Sequence, residues 1–234
     1  MINLLKFIGL NIEISKKLKT LKISSNKKLK TIAPYNLLKT MRAGVLVLGP
    51  LLAKNKKAKV SLPGGCAIGA RPVNLHLFAL EKLGAKIKIK NGYIYASAKN
   101  GLKGNIIKFP SISVGATENA ILAAVSAKGR TTISNCAIEP EIQDMIVFLK
   151  KLGCNINFVG KRKILIIGTK KFKSICHEVI FDRIELGTYL IAAALVGRKI
   201  IFFKVKTKII DTEIKLLKKM GVKMKVDKNK ITIY

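Results

Sequence analysis

The chain has 234 residues, 49% of them hydrophobic and 24% charged, and this balance favours a folded globular protein over a disordered one. Its longest nearly apolar runs, residues 43–53 and 189–196, fall short of the roughly 18 residues that a membrane-spanning helix needs, so no membrane span is expected. The net charge of +33 comes mostly from lysines scattered through every predicted element, and specific nucleic-acid binding is therefore not expected to be the main role.

Cysteine and histidine are too sparse to indicate a metal site. The four cysteines, at positions 66, 136, 154 and 176, form no Cys-x-x-Cys pair, and the two histidines are His76 and His177. Structural zinc sites draw about four such ligands at short spacing. We therefore expect no metal, and free thiols in a reducing cytoplasm.

A short motif recurs along the chain: an apolar helix end, then Leu-Gly or a close variant, then an alternating strand. Its glycines are Gly9, Gly84, Gly153 and Gly221, about 70 residues apart. Each glycine suits the left-handed position that follows the end of a helix, where a side chain would be strained. Self-similarity at this spacing predicts repeated copies of one supersecondary unit.

A second pair of elements precedes each of the last three motifs, namely a small-residue apolar helix and a short strand. The helices are predicted at residues 40–53, 116–128 and 186–196, and the strands at 59–62, 131–134 and 199–203. The repeated unit is therefore helix, strand, helix, strand, strand. This pattern predicts an α/β (α+β) fold in which the helices pack inside and the sheets lie outside.

The number of units predicts the domain organisation. The chain opens with the second half of a unit and continues with three complete ones. We expect a first domain at 1–180 that lacks its first half-unit, and a single unit of a second, truncated domain at 181–234.

One loop breaks the repeat. Between the short strand and the next helix, the segment 61–72 is five residues longer than its counterpart 134–140, and the extra residues include Cys66 among three glycines. An insertion that the repeated fold does not require is a good candidate for function. Pro72 has the backbone dihedral of a first helical residue, so a helix is predicted from there toward Gly84.

The cysteine of this loop differs in its setting from the other three. Free cysteine is most often a buried small hydrophobe, and we expect this of Cys136, Cys154 and Cys176. Cys66 lies on no periodic face and has Arg71 nearby, a setting that favours the reactive thiolate.

Arginine is rare here, with six residues against 39 lysines, which indicates sites where a planar bidentate donor is needed. Arg42 and Arg71 are the two arginines near the loop. The alternative to a binding role is that each forms a surface ion pair. Residues 111–117 lead into a helix N-terminus, which favours an anion, although every helix has such an end. Asp182 is predicted to cap a helix, and both histidines to be structural.

Four segments together resemble a known family: 39–43, the loop 63–72, 113–119 and 182–185. They are similar to the UDP-N-acetylglucosamine 1-carboxyvinyltransferases, a family of enolpyruvyl transferases, and the resemblance runs along essentially the whole chain. It implies an inside-out α/β barrel fold with two domains of three units each and an active site in the cleft between them.

The resemblance also implies a reaction and its residues. The sugar 3′-hydroxyl attacks the enol carbon of phosphoenolpyruvate, the methylene carbon is protonated, and phosphate then leaves, which is the first committed step of cytoplasmic peptidoglycan synthesis. Cys66 corresponds to the general acid, which also bonds to the pyruvyl unit. No cofactor is implied. The substrate-binding residues would be Arg42, Arg71, Pro72, Val73, Asn74, Leu75, Ser113, Val114 and Gly115, with Asp182 and Arg183 as further candidates.

The chain departs from the family pattern at Ser111, usually lysine, and at Asn74, often aspartate. A lysine-asparagine pair of the family would precede Met1, and its aspartate base and a second arginine would follow Tyr234. We therefore expect the 234-residue chain alone to be inactive without the missing portion. Two alternatives are a degenerate remnant that only binds sugar nucleotide, and a basic RNA-associated protein.

Overall fold

The computed structural model describes residues 1–17, 19–25, 28–64 and 72–234, and the chain divides into two compact units, Met1–Cys176 and His177–Tyr234. Across these described ranges, no helix is long and apolar enough to cross a membrane.

The first unit carries most of the secondary structure. Its helices are α1 (Ile2–Ile8), α2 (Tyr35–Leu38), a 3-10 helix (Arg42–Val47), α3 (Leu48–Asn55), α4 (Asn74–Lys82), α5 (Val114–Ala124) and α6 (Pro140–Lys151). Its strands are β1 (Asn11–Ser15), β2 (Thr20–Ser24), β3 (Ile32–Ala33), β4 (Lys57–Ser61), β5 (Lys86–Lys90), β6 (Tyr93–Ser97), β7 (Ile106–Lys108), β8 (Arg130–Ser134), β9 (Asn155–Gly160) and β10 (Lys163–Ile167).

The second unit has the same order of elements on a smaller scale. Its helices are α7 (Arg183–Val196), a 3-10 helix (Thr207–Ile210) and α8 (Asp211–Lys219), and its strands are β11 (Ile200–Phe203), β12 (Met224–Asp227) and β13 (Lys230–Ile233).

The sheets confirm the repeat and extend it. Two four-stranded sheets have the equivalent orders β3-β4-β6-β5 and β7-β8-β10-β9, and in each the first pair is parallel and the others antiparallel. The sheet of the second unit, β11-β13-β12, repeats the antiparallel part. The predicted unit lacked the leading strands β3 and β7, because strands of two or three residues are too short to show alternation.

Helices occupy the interior of the first unit and sheets cover it, as the sequence predicted. Helix α5 is the most deeply buried and meets α3 and α4 through small residues such as Ala116, Ala120 and Ala123. Small side chains let the helix backbones approach closely. The alternating lysines of β5 face water, which explains why so many lysines are compatible with a packed core.

The helix predicted at 40–53 is interrupted. Residues Arg42–Val47 form a 3-10 helix and an α-helix begins only at Leu48. Pro50 has no backbone N–H to donate, and the amide of Gly49 donates to the side chain of Asn119 instead of to its own helix. The α-helical backbone hydrogen bonds that residues 49 and 50 would donate are therefore both missing, and a continuous α-helix is excluded.

Helix α7 is only half-buried, although its composition predicted an interior helix. It buries Leu186, Leu190 and Ala193 within the second unit. Its opposite face exposes Ile191 and Leu195, the latter at 82% of its surface. The small second core has one layer of helix on one sheet, so a helix that is apolar all round keeps one face exposed.

Candidate functional site

The loop that breaks the repeat falls largely outside the described residues, and this includes Cys66 and Arg71, but both of its ends are described. It leaves β4 through Leu62, whose amide donates to the carbonyl of Gly92 at 2.8 Å. A Cβ at Gly64 would lie 2.0 Å from the carbonyl oxygen of Lys39. Only glycine fits this approach, so the loop starts against the segment that leads to Arg42.

Helix α4, which follows the loop, begins at a later residue than predicted. The first helical residue is Asn74, and Val73 is the N-cap, so Pro72 stands just outside the helix. Pro72 and Asn74 are exposed, whereas Val73 and Leu75 are half-buried. The exposed pair is accessible to a ligand and the half-buried pair attaches the segment to the core.

Three of the predicted binding segments converge on one buried side chain, His76. It directly follows the segment 72–75, and the charge of Arg42 acts on its imidazole. A Cβ at Gly115 would lie 3.1 Å from Cε1 and 3.3 Å from Nε2 of the same ring. The structure therefore brings Arg42, residues 72–75 and residues 113–115 together around His76.

The environment of His76 keeps its imidazole neutral. Burial, and secondarily the neighbouring Arg42 cation, lower the pKa of His76 from 6.5 to about 4. Its Nδ1 lies 3.2 Å from Nδ2 of Asn119, which is itself fully buried. The sequence predicted a structural histidine, and its burial agrees. Its central position among the predicted binding segments was missed, although it directly follows Leu75.

This lowered pKa predicts a pH-dependent stability. The folded pKa is below the unfolded value, so the unfolded state takes up the proton first as the pH falls, and stability is lost between about pH 6.5 and pH 4. The loss attributable to His76 is about 3 kcal/mol over that window, at 1.36 kcal/mol per pKa unit. Urea unfolding at pH 7 and pH 4 measures it. A His76→Gln variant serves as the reference, and an equal pH dependence in both chains would contradict the prediction.

The N-terminus of α5 is built to present backbone amides. The hydroxyl of Ser113 accepts from the amide of Ala116 at 3.3 Å. The hydroxyl of Thr117 donates to the carbonyl of Ser113 at 2.8 Å and accepts from the amide of Ala137 at 3.0 Å. These bonds fix the first turn of the helix, and the amides of Val114 and Gly115 remain available to an anion.

Glu118 is a second group near this helix end that the sequence analysis missed. Burial, and secondarily the charge of Glu141, raise the pKa of the Glu118 carboxyl. An acid within an otherwise small and apolar helix was the available signal.

The candidate residues of the second unit have local partners. Asp182 caps α7, since its carboxylate accepts from the amides of Ile184 at 2.8 Å and Glu185 at 3.1 Å. This confirms the predicted cap. Arg183 lies 3.8 Å from the carboxylate of Glu213. Substrate binding by Asp182 and Arg183 therefore stays a prediction.

The described cysteines fall into two classes. Cys136 and Cys154 are buried, and burial raises the pKa of both thiols, which makes them poor nucleophiles. Cys176 is exposed, and the prediction that it is packed was wrong, because it lies in an extended segment without helix or strand. No group of three or more potential metal ligands comes together among the residues that the structure describes.

Comparison with known sequences agrees with the fold and with the motifs. Residues 1–234 match the family model of EPSP synthase (3-phosphoshikimate 1-carboxyvinyltransferase). The chain is 58% identical over 233 residues to a UDP-N-acetylglucosamine 1-carboxyvinyltransferase of Pelagibacter ubique (strain HTCC1062), which covers 100% of this chain and 55% of the relative. It is 52% identical to the enzyme of the same description from Endomicrobium trichonymphae, over 91% of this chain and 51% of the relative. The chain thus spans about half the length of these curated relatives.

Solved structures of enolpyruvyl transferases have the same fold. The enolpyruvyl transferase NikO from Streptomyces tendae superposes with a TM-score of 0.79 at 20% identity, over 99% of this chain and 56% of that one. EPSP synthase from Acinetobacter baumannii gives 0.72 at 19% identity, over 99% and 55%. These confirm the inside-out α/β fold that the repeat predicted. The chain belongs to the EPSP synthase (3-phosphoshikimate 1-carboxyvinyltransferase) family of enolpyruvyl transferases.

Proposed function

We propose that this protein transfers the enolpyruvyl group of phosphoenolpyruvate to the 3′-hydroxyl of UDP-N-acetylglucosamine, as its family resemblance implies; its relatives are described as UDP-N-acetylglucosamine 1-carboxyvinyltransferases. The observation that carries the proposal is the convergence of Arg42, residues 72–75 and the α5 N-terminus around His76. An arginine and a capped helix end in one place form a site suited to phosphate oxygens. The reaction would take place in the cytoplasm, as the first committed step of peptidoglycan synthesis.

Each group has a role in this proposal. Arg42 and Arg71 hold phosphate or diphosphate oxygens through bidentate hydrogen bonds. The segment Pro72 to Leu75 and the amides of Ser113, Val114 and Gly115 bind the nucleotide. The neutral state of His76 leaves Arg42 as the fixed positive charge beside it.

The chemistry centres on the thiol of Cys66. The C–O bond between the sugar oxygen and the enol carbon forms as the sugar hydroxyl gives its proton to the aspartate base that the family resemblance places after Tyr234, while the methylene carbon takes a proton from the thiol. In the second step the C–O bond to phosphate breaks, phosphate leaves, and the methyl group returns a proton to the Cys66 thiolate, which restores the double bond and the thiol. Asp182 and Arg183 are further candidates for substrate contact.

Titration of the 234-residue chain with UDP-N-acetylglucosamine tests the binding half of the proposal. We expect saturable binding that Arg42→Ala weakens about 10- to 100-fold, because one charge-assisted hydrogen-bonding group to a phosphate contributes about 1.5–3 kcal/mol. Arg130→Ala, at an exposed position on β8, is the matched control and should bind like the wild type. Calorimetry at fixed ionic strength measures both, since a chain of net charge +33 attracts any anion at low salt.

The titration separates the proposal from an RNA-associated protein, and the reactivity of Cys66 separates it from a remnant that only binds sugar nucleotide. A remnant that only binds sugar nucleotide would give the same titration, but its Cys66 would not react with an analogue of phosphoenolpyruvate. An RNA-associated protein would bind RNA with a steep dependence on salt and would not respond to Arg42→Ala. Wild-type chain that does not bind UDP-N-acetylglucosamine at any salt concentration would refute the proposed function.

A further inference from the structure

Asn119, on the buried side of α5, bridges a gap in the hydrogen-bond ladder of another helix. Its Oδ1 accepts from the amide of Gly49 at 2.9 Å, and its Nδ2 donates to the carbonyl of Val45 at 3.2 Å. These two backbone groups are four residues apart and would pair directly in an α-helix. The side-chain amide therefore takes the place of one backbone hydrogen bond, at the junction between the 3-10 helix and α3.

The close fit around this amide leaves little freedom. A Cβ at Gly49 would lie 2.4 Å from Oδ1 of Asn119 and 2.8 Å from its backbone oxygen. The side chain of Asn119 is fully buried. Position 49 has to be glycine so that α3 and α5 come near enough for one side chain to join them.

The partners of Asn119 also fix its orientation and the tautomer of His76. The amide of Gly49 can only donate and the carbonyl of Val45 can only accept, so Oδ1 must face Gly49 and Nδ2 must face Val45. The Nδ2 group also lies 3.2 Å from Nδ1 of His76. Since Nδ2 is a donor, Nδ1 of His76 must accept and the ring proton must reside on Nε2.

We propose that Asn119 is a positioning residue for the enolpyruvyl-transfer site: its single amide joins the helix pair that begins at Arg42, the helix α4 that follows the cysteine loop, and the helix α5 whose N-terminus binds anions. The inference rests on the proposed function. Arg42 lies three residues before Val45, and His76 lies two residues after Asn74. A shift of Asn119 therefore changes the spacing between the three binding segments.

The substitution Asn119→Asp tests this geometry with almost no change of shape. The carboxylate still accepts from Gly49, but it cannot donate to Val45 or to Nδ1 of His76. It favours a proton on Nδ1 instead. We expect the ¹⁵N spectrum of His76 to show a protonated Nε2 and an unprotonated Nδ1 in the wild type, and a protonated Nδ1 in the variant. The other histidine, His177, is assigned from a His177→Gln chain.

Affinity for UDP-N-acetylglucosamine is the functional measurement. We expect Asn119→Asp to bind UDP-N-acetylglucosamine at least about tenfold more weakly. Its amide spectrum should still be that of a folded chain. The control is Ile156→Ala, which removes a fully buried side chain on β9, a strand that packs against α6. It lowers the stability of the same unit but should keep both the affinity and the His76 tautomer of the wild type.

The outcomes separate the positioning role from the proposed function. Wild-type affinity in a folded Asn119→Asp chain, or an equal loss in Ile156→Ala, would overturn the positioning role and leave the function intact. Wild-type chain without any binding would overturn both. If Asn119→Asp does not fold, Asn119→Ser is measured with the same expectations. A proton on Nδ1 of wild-type His76 would contradict the geometry without any variant.

Discussion

Replacing Gly64 by alanine is expected to weaken sugar-nucleotide binding severely, with little loss of folded structure. The new Cβ would lie 2.0 Å from the carbonyl oxygen and 2.8 Å from the carbonyl carbon of Lys39, both backbone atoms that no side-chain rotation can move. Gly64 lies near the start of the loop and two residues before Cys66, so the change moves the start of that loop away from the segment leading to Arg42.

We expect the affinity of Gly64→Ala for UDP-N-acetylglucosamine to fall by about 100-fold or more, because misplaced binding groups lose their hydrogen bonds together. Calorimetry measures this, and circular dichroism checks the fold. The matched control is Gly160→Ala, where the nearest atom to a new Cβ is Cβ of Lys163 at 3.4 Å. Equal affinities in the two variants would show that the approach of the loop to Lys39 does not position the site.

The largest effect on stability is expected for Gly168→Ala. A Cβ at this position would come within bonding distance, 1.6 Å, of the carbonyl oxygen of Ala127. The segment after β10 is held there by two backbone hydrogen bonds, from Gly168 to Gly129 at 3.0 Å and from Thr169 to Val125 at 2.8 Å. The alanine variant has to break these bonds or displace the segment 125–129 that follows α5.

Overpacking together with two lost hydrogen bonds should cost the first unit about 3 kcal/mol or more in the free energy of unfolding. Urea unfolding of the full chain measures this, again with Gly160→Ala as the control that should change it by less than about 0.5 kcal/mol. A Gly168→Ala chain as stable as the wild type would mean that the segment after β10 does not pack on residues 125–129 as closely as the structure indicates.

The repeat was predictable from sequence because it depends on local chemistry. Gly9, Gly84, Gly153 and Gly221 all have positive φ, as the position after a helix end requires. In β5 the alternating lysines face water and Ile87 packs partly against the core, although Ile89 is 55% exposed. Signals of this kind lie within a few residues of sequence.

The arrangement around His76 was not predictable, because it depends on contacts between distant residues. The bond from Gly49 to Asn119 joins positions 70 residues apart, and the bond from Asn119 to His76 joins positions 43 apart. The break in the helix at Leu48 has the same origin, since the amide of Gly49 is bonded outside its own helix. Composition alone could not show that Cys176 is exposed, because its segment belongs to no regular element.

The sequence evidence for the predicted site came from an insertion and from residue choice. The five extra residues around Cys66 are visible only when two copies of the unit are compared. The choice of arginine at position 42, in a chain that otherwise uses lysine, indicated a special role. The structure adds the common centre, His76, on which the segments meet.

Reaction of the thiols with an epoxide analogue of phosphoenolpyruvate tests the central claim most directly. We expect Cys66 to be modified first, because its glycine-rich loop and Arg71 favour the thiolate. Cys136 and Cys154 should stay unmodified, because they are buried and burial raises the pKa of their thiols. Exposed Cys176 is the internal reference. In the presence of UDP-N-acetylglucosamine, phosphoenolpyruvate should slow modification of Cys66 and leave Cys176 unaffected, as measured by peptide mass mapping. Modification of Cys66 no faster than Cys176, and insensitive to phosphoenolpyruvate, would contradict an enolpyruvyl-transfer site at this loop.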